Sequence, residues 1–192
     1  VTKGSPVEAI QEARQAGITV FAENKVQEAL EKVPLIENAE WHLVGHLQSN
    51  KIKDAVRLFR CVQSVDSVRL AEKISQELAV QNKTLAVLLE VKLSAEEGKH
   101  GFSAEEIYSA IEEITALPNL EIKGLMGMAP NTPEAEPRRA AFKKLKQIFS
   151  VCKSIKKENL QMKHLSMGMS DDFEIAIEEG SNMVRIGRAL FQ

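Results

Sequence analysis

Cysteine is almost absent from this sequence: Cys61 and Cys152 are the only two among 192 residues, and they form no CxxC pair. That pattern argues against a disulfide framework, and both thiols read as small buried apolar side chains. No secretory signal precedes them, so a reducing, cytoplasmic setting is expected. Long apolar runs are missing too. The longest, such as residues 84–90, are strand-sized, well below the ~20 residues that cross a bilayer. Charge of one sign is also lacking, since 25 Lys and Arg oppose 27 Asp and Glu for a net charge of −2. Without a global basic field, neither nucleic acid nor a membrane is an expected partner. The chain shows no low-complexity tract, internal repeat or linker, and its length suits one domain over residues 1–192. It opens on Val1, not Met, in what reads as the last part of a strand. An upstream helix and the start of that strand are expected to be truncated from this numbering.

What is present is a regular alternation of short β-rich runs with helical patterns, as in βα units around a parallel sheet. Eight strands are expected, at residues 1–3, 18–21, 40–44, 61–65, 84–91, 120–126, 161–165 and 183–186. Between them lie helical spacings such as Ile107, Ile111 and Ile114, or Phe142, Leu145, Ile148, Phe149 and Cys152. Eight strands on one beat point to a closed (β/α)8 barrel of the TIM type. An open doubly wound sheet carries the same local pattern and stays an alternative at this point. Residues 131–137 form the clearest polar loop.

A parallel barrel binds ligands at the C-terminal ends of its strands, so the residues just after each strand carry the functional information. Two glycine-bearing segments there have the parts of a phosphate site. In LSMGMSDDFEIAI, Gly168 frees the backbone to approach a ligand, and Ser170 or Asp171 could cap a helix beginning at Asp172. In VRIGRALF, Gly187 opens the backbone again, and the N–H groups of Gly187 and Arg188 can face an anion. Lys3 ends the first strand, next to these loops in a closed barrel. An amine partly desolvated at a barrel mouth has a depressed pKa and attacks aldehydes, so a phosphorylated aldehyde could bridge the lysine and the loops. Arg185, two residues before Gly187, points to the same side of its strand. His42 and His46 read as structural, and His100 and His164 make no ligand spacing with them, so no metal site is expected.

Seven blocks in order, VTKGSP, FAENKVQE, WHLVGHLQSNK, EEGKHGF, GLMGMAP, LSMGMSDDFEIAIEEGS and VRIGRALF, resemble the pyridoxal 5′-phosphate (PLP) homeostasis protein family. The resemblance spans essentially the whole chain. It implies a fold-type III barrel like the N-terminal domain of alanine racemase, with PLP as cofactor. Residue by residue it implies Lys3 as the Schiff-base lysine holding PLP as an internal aldimine, and Asn24 and Asn50 as polar pocket residues. Ser166, Gly168, Ser170, Gly187 and Arg188 would surround the phosphate. Arg185 would face the pyridine nitrogen and keep it unprotonated, because two cations do not share a site cheaply. The sequence departs from the family pattern at Ala22, Lys92, Arg188 and Gln192.

The resemblance implies a PLP carrier that stores, buffers or delivers the cofactor; apo PLP enzymes are the expected partners, and a monomer is expected. No catalytic residue is assigned. Racemization needs a second acid or base on the opposite face of the cofactor. The one tyrosine, Tyr108, falls in a helix away from the strand ends. A PLP-dependent amino-acid racemase is the alternative reading, and a barrel for another phosphorylated metabolite the third.

Overall fold

A computed structural model describes residues 1–94 and 100–191. It contains β1 (Val20–Glu23), β2 (Glu40–Leu43), β3 (Cys61–Val65), β4 (Leu85–Val91), β5 (Leu120–Gly127), β6 (Leu160–Met169) and β7 (Met183–Arg185). The strands neighbour one another in sequence order, and every pairing is parallel. A helix follows each strand, as parallel connections require: α2 (Val26–Lys32), α3 (Ile52–Leu58), α4 (Val68–Gln81), α5 (Glu106–Thr115), α6 (Ala135–Cys152), α7 (Phe173–Glu178) and α8 (Arg188–Phe191), with α1 (Val7–Gln15) ahead of β1.

The expected first strand, residues 1–3, forms no ladder of its own. Its place is nonetheless taken: the Thr2 N–H donates to Ala22 O at 2.9 Å, and the Val1 nitrogen lies 2.5 Å from Ile186 O. One dipeptide thus touches both β1 and the end of β7. An open sheet would hold those edges apart, so the fold is a nearly closed barrel of seven strands.

Two apolar layers follow from strand alternation. On β4, Leu85, Val87, Leu89 and Val91 join the large core beneath the helices, whereas Leu88 joins Cys61 and Met126 in the lumen, and Ala86 packs against them. Glu90 shares that inward face. Burial on both faces explains why β4 reads as a continuous apolar run. Ile107, Ile111 and Ile114 are fully buried on α5, and Phe142, Leu145, Ile148, Phe149 and Cys152 are buried on α6, on the faces their spacing predicts. Both cysteines are buried, which pushes the Cys61 thiol up to about 12 and that of Cys152 up to about 11.

One boundary differs in a way that matters for the site. The strand expected at residues 161–165 continues as β6 to Met169. Gly168, at φ +96°, absorbs an irregularity between the Ser166↔Met183 and Met169↔Arg185 pairings, and the strand then resumes. Ser166 and Gly168 therefore belong to the barrel wall, not to a loop.

Candidate functional site

The strand ends converge on a mouth cavity of about 510 Å³, within the range of small-molecule sites. Its wall draws Lys3 from the opening turn, Asn24 from the end of β1, Met128 from beyond β5, and Ser170, Arg185, Gly187 and Arg188 from the last two βα units.

Lys3 is exposed at this mouth, without the desolvation its strand-end position predicted. Its turn is held from below. Lys32 of α2 is buried and donates to Glu23 Oε1 at 2.6 Å and to Thr2 O at 2.7 Å. Thr2 Oγ1 donates to the same Glu23 oxygen at 2.5 Å, and the Gly4 N–H reaches Glu28 Oε2 at 3.3 Å. Gly4 is thereby tied to Glu28, a second partner of Lys32, and Thr2 to the buried Glu23–Lys32 pair itself. Its desolvation cost is offset by the Thr2 hydroxyl and carbonyl contacts.

The two glycine segments meet through Ser170. Its Oγ accepts the N–H of Gly187 at 3.3 Å and of Ala189 at 3.2 Å, which turns two main-chain donors toward one spot on the cavity wall. Ser170 was expected as a helix cap, but neither it nor Asp171 caps α7, which begins at Phe173. Asp172 instead folds back to accept the Met169 N–H at 2.6 Å. The Arg188 guanidinium lies at the rim, paired with Asp171. Gly168 serves packing: a Cβ there would stand 2.5 Å from Ala176 Cβ of α7, so the glycine lets the helix sit against β6.

Arg185 is the buried cation of the site. It donates to Ser166 Oγ at 2.8 Å and to Gly127 O at 3.0 Å. Burial lowers its pKa to about 10, against the pull of Glu90 and Asp172, and it stays charged at neutral pH. From Ser166 a chain of donors crosses the lumen. Ser166 Oγ donates to Gln63 Oε1 at 2.7 Å, Gln63 Nε2 to His42 Nδ1 at 2.8 Å, and His42 Nε2 to Glu40 Oε1 at 2.9 Å. This order of donors corresponds to the His42 tautomer with its hydrogen on Nε2. Beside it, Glu90 is pushed up to about 7, first by burial and then by the Asp66 carboxylate, with Arg185 and His46 opposing.

The family model for the alanine racemase N-terminal domain matches residues 2–192. The pyridoxal phosphate homeostasis protein of Haemophilus influenzae is 39% identical over 195 residues, covering 100% of this chain and 82% of its own. The Aquifex aeolicus protein of the same description is 38% identical over 192 residues, covering 99% and 83%. The chain belongs to this family. Among solved structures, PipY of Synechococcus elongatus with PLP bound superposes with a TM-score of 0.89 at 34% identity, covering 97% of this chain and 88% of that one. An alanine racemase of Clostridium difficile, 18% identical, shares the fold with a TM-score of 0.78 over 96% of this chain and 46% of its own.

In this family member the cavity unites Lys3, Asn24, Ser170, Arg185, Gly187 and Arg188. Ser166 stands one contact away, as the partner of Arg185, and Gly168 lies buried behind the wall. Asn50 is apart: exposed, it borders a separate surface cleft with Lys53, Lys73 and Glu77. Part of the EEGKHGF block, residues 96–99, lies outside the described residues, as does Gln192. Sequence reasoning missed Lys32 and Gln63. Lys32 falls in the stripe of α2 that buries Val26 and Ala29, and a lysine on such a stripe signals a buried partner. Gln63 carried no comparable mark. Reasoning from spacing also set His100 apart from His46, whereas the fold stacks their rings with centroids 4.0 Å apart.

Proposed function

We propose that this chain binds PLP in the mouth cavity, with Lys3 as the amine that holds its aldehyde. The observation that carries the reading is the convergence of Lys3, Ser170, the Gly187 backbone, and the Arg185 and Arg188 guanidiniums on one cavity. That donor set fits the three ends of the group: an amine for an aldehyde, main-chain and guanidinium donors for a phosphate, and a buried cation for a pyridine nitrogen. The relatives named pyridoxal phosphate homeostasis protein, and PipY with PLP bound, support the same assignment. When bound, PLP supplies an electron-withdrawing ring and a reactive aldehyde.

The chain's own residues favour retention over turnover. The Glu23–Lys32 pair fixes the turn that bears Lys3. Arg185 disfavours a second cation next to it, which leaves a ring nitrogen unprotonated and the ring a weaker electron sink. Among the described residues lining the cavity, the titratable side chains are Lys3, Asp171, Arg185 and Arg188. Asp171 is held by Arg188, and Tyr108 sits on α5, packed against the helix-side core. No partner for two-faced proton transfer stands among them. The proposal is therefore a cytoplasmic PLP carrier of one domain, acting as a monomer in PLP homeostasis and passing the cofactor to apo PLP enzymes.

Purified protein should absorb near ~420 nm, as lysine-bound PLP does. Borohydride should abolish the band, and Lys3→Ala should lack it while folding normally. A colourless wild type would overturn the assignment. Incubation with L-alanine in deuterated buffer should leave Cα unexchanged, and exchange at enzyme-like rates would establish the racemase reading instead.

A further inference from the structure

We propose that His46, Asp66 and His100 form a binding site for a divalent transition-metal ion of the Zn²⁺ class, separate from the mouth cavity. His46 follows β2, Asp66 follows β3, and His100 precedes the bridge that pairs Phe102 with Val91 at the end of β4. Three successive strand ends thus deliver two imidazoles and a carboxylate, although the residues are 20 and 34 positions apart in sequence. Two nitrogens and one oxygen make a donor set suited to Zn²⁺, Co²⁺ or Ni²⁺ rather than Mg²⁺ or Ca²⁺.

The distances suit an ion of that size. Nδ1 of His46 lies 2.9 Å and Nδ1 of His100 3.5 Å from the same Asp66 oxygen, Oδ2. For bonds of about 2.1 Å, ligand atoms at octahedral to tetrahedral angles stand roughly 3.0–3.4 Å apart. The two carboxylate edges, at 2.9 Å and 3.5 Å, lie just either side of that range. One candidate ligand atom from each residue lies within 4.8 Å of the others. The histidine side chains are 44% and 55% exposed, so their stacked rings can rotate apart to aim one nitrogen of each at a common ion.

The carboxylate is prearranged. Its side chain is 8% exposed, and its other oxygen, Oδ1, accepts the Ser67 hydroxyl at 3.0 Å. Ser67 in turn caps α4 by accepting the Leu70 N–H at 3.3 Å. Oδ2 is left facing the two rings. A ligand held from behind in this way is the outer support that well-formed metal sites have. Three protein ligands leave at least one coordination position for water or a small anion.

The site uses none of the residues assigned to PLP, so the two readings stand or fall separately. The test is isothermal titration of the tag-free, PLP-loaded chain with Zn²⁺, and with Co²⁺ as a spectroscopic probe. One equivalent should bind, with Co²⁺ d–d bands reporting nitrogen and oxygen ligands. His46→Ala, His100→Ala and Asp66→Asn should each weaken binding by about tenfold or more. The circular dichroism spectrum and Tm of each variant should match the wild type, a check on folding that does not depend on PLP. Absence of binding to the wild type, or equal affinity in the three variants, would overturn the proposal.

Discussion

At the residue scale, Lys32 shows how a buried charge can serve a site it does not line. It stands beneath the opening turn, with its ammonium shared between Glu23, Glu28 and the Thr2 carbonyl. Truncating one partner of a buried pair leaves the other uncompensated, at a cost of about 3–5 kcal/mol. Lys32→Met should therefore lower stability by that amount in urea unfolding. Because the Thr2 carbonyl loses its donor and Glu28 its cation, the turn bearing Lys3 loosens and PLP retention on dialysis should fall as well. The double variant Lys32→Met, Glu23→Leu should recover most of the stability but not the retention, since an apolar pair restores burial without holding the turn.

At the element scale, β6 and α7 depend on one residue without a side chain. Any Cβ at position 168 meets Ala176 Cβ at 2.5 Å and Phe173 Cα at 3.1 Å, and the backbone there has positive φ. Gly168→Ala combines overpacking with a disfavoured backbone and should destabilise by about 2 kcal/mol or more, read as a drop in Tm. The displaced α7 would carry Ser170 with it and loosen the tie to Gly187. The same element marks the limit of sequence reading. Gly168 was legible as a position of special backbone, but its purpose was not, because the partner it accommodates lies on a helix whose packing periodicity does not specify. The helices on α5 and α6 were legible because three and five buried positions fall on one stripe. The chain's opening segment takes the expected place between β1 and β7 without forming a ladder, because residues 1–3 make one backbone hydrogen bond to each edge. Asn24 was named only through the family resemblance, whereas Lys3, Ser170, Arg185, Gly187 and Arg188 were legible from their places at strand ends, which barrel geometry brings together whatever their sequence separation. Asn50 could not be placed that way. It sits in the short 3-10 turn of Ser49–Lys51, beyond the strand end and facing another surface.

At the scale of the whole molecule, the lumen is polar enough for its ionisation to govern stability. Glu90 titrates at about 7 when folded, against 4.5 for the ordinary carboxyl. Its protonated form is favoured by folding, so its contribution is fully present below about 4.5 and is lost as pH rises through about 7. The difference corresponds to roughly 3 kcal/mol. In metal-free buffer, Glu90→Gln should match the wild type in acid and exceed its stability at pH ~8 by up to that amount. A parallel pH dependence in both proteins would show that Glu90 is not the controlling group.

The donor chain from Arg185 through Ser166, Gln63 and His42 to Glu40 has one more consequence. It joins β7, β6, β3 and β2 across the lumen, strands that are not all neighbours in the sheet, and so acts as an internal strut. Ladder hydrogen bonds keep adjacent strands together, whereas a strut across the bore fixes the barrel's cross-section. A vessel braced in this manner would keep its shape whether full or empty. Loading and unloading would then proceed at the rim alone, with no refolding to slow the exchange.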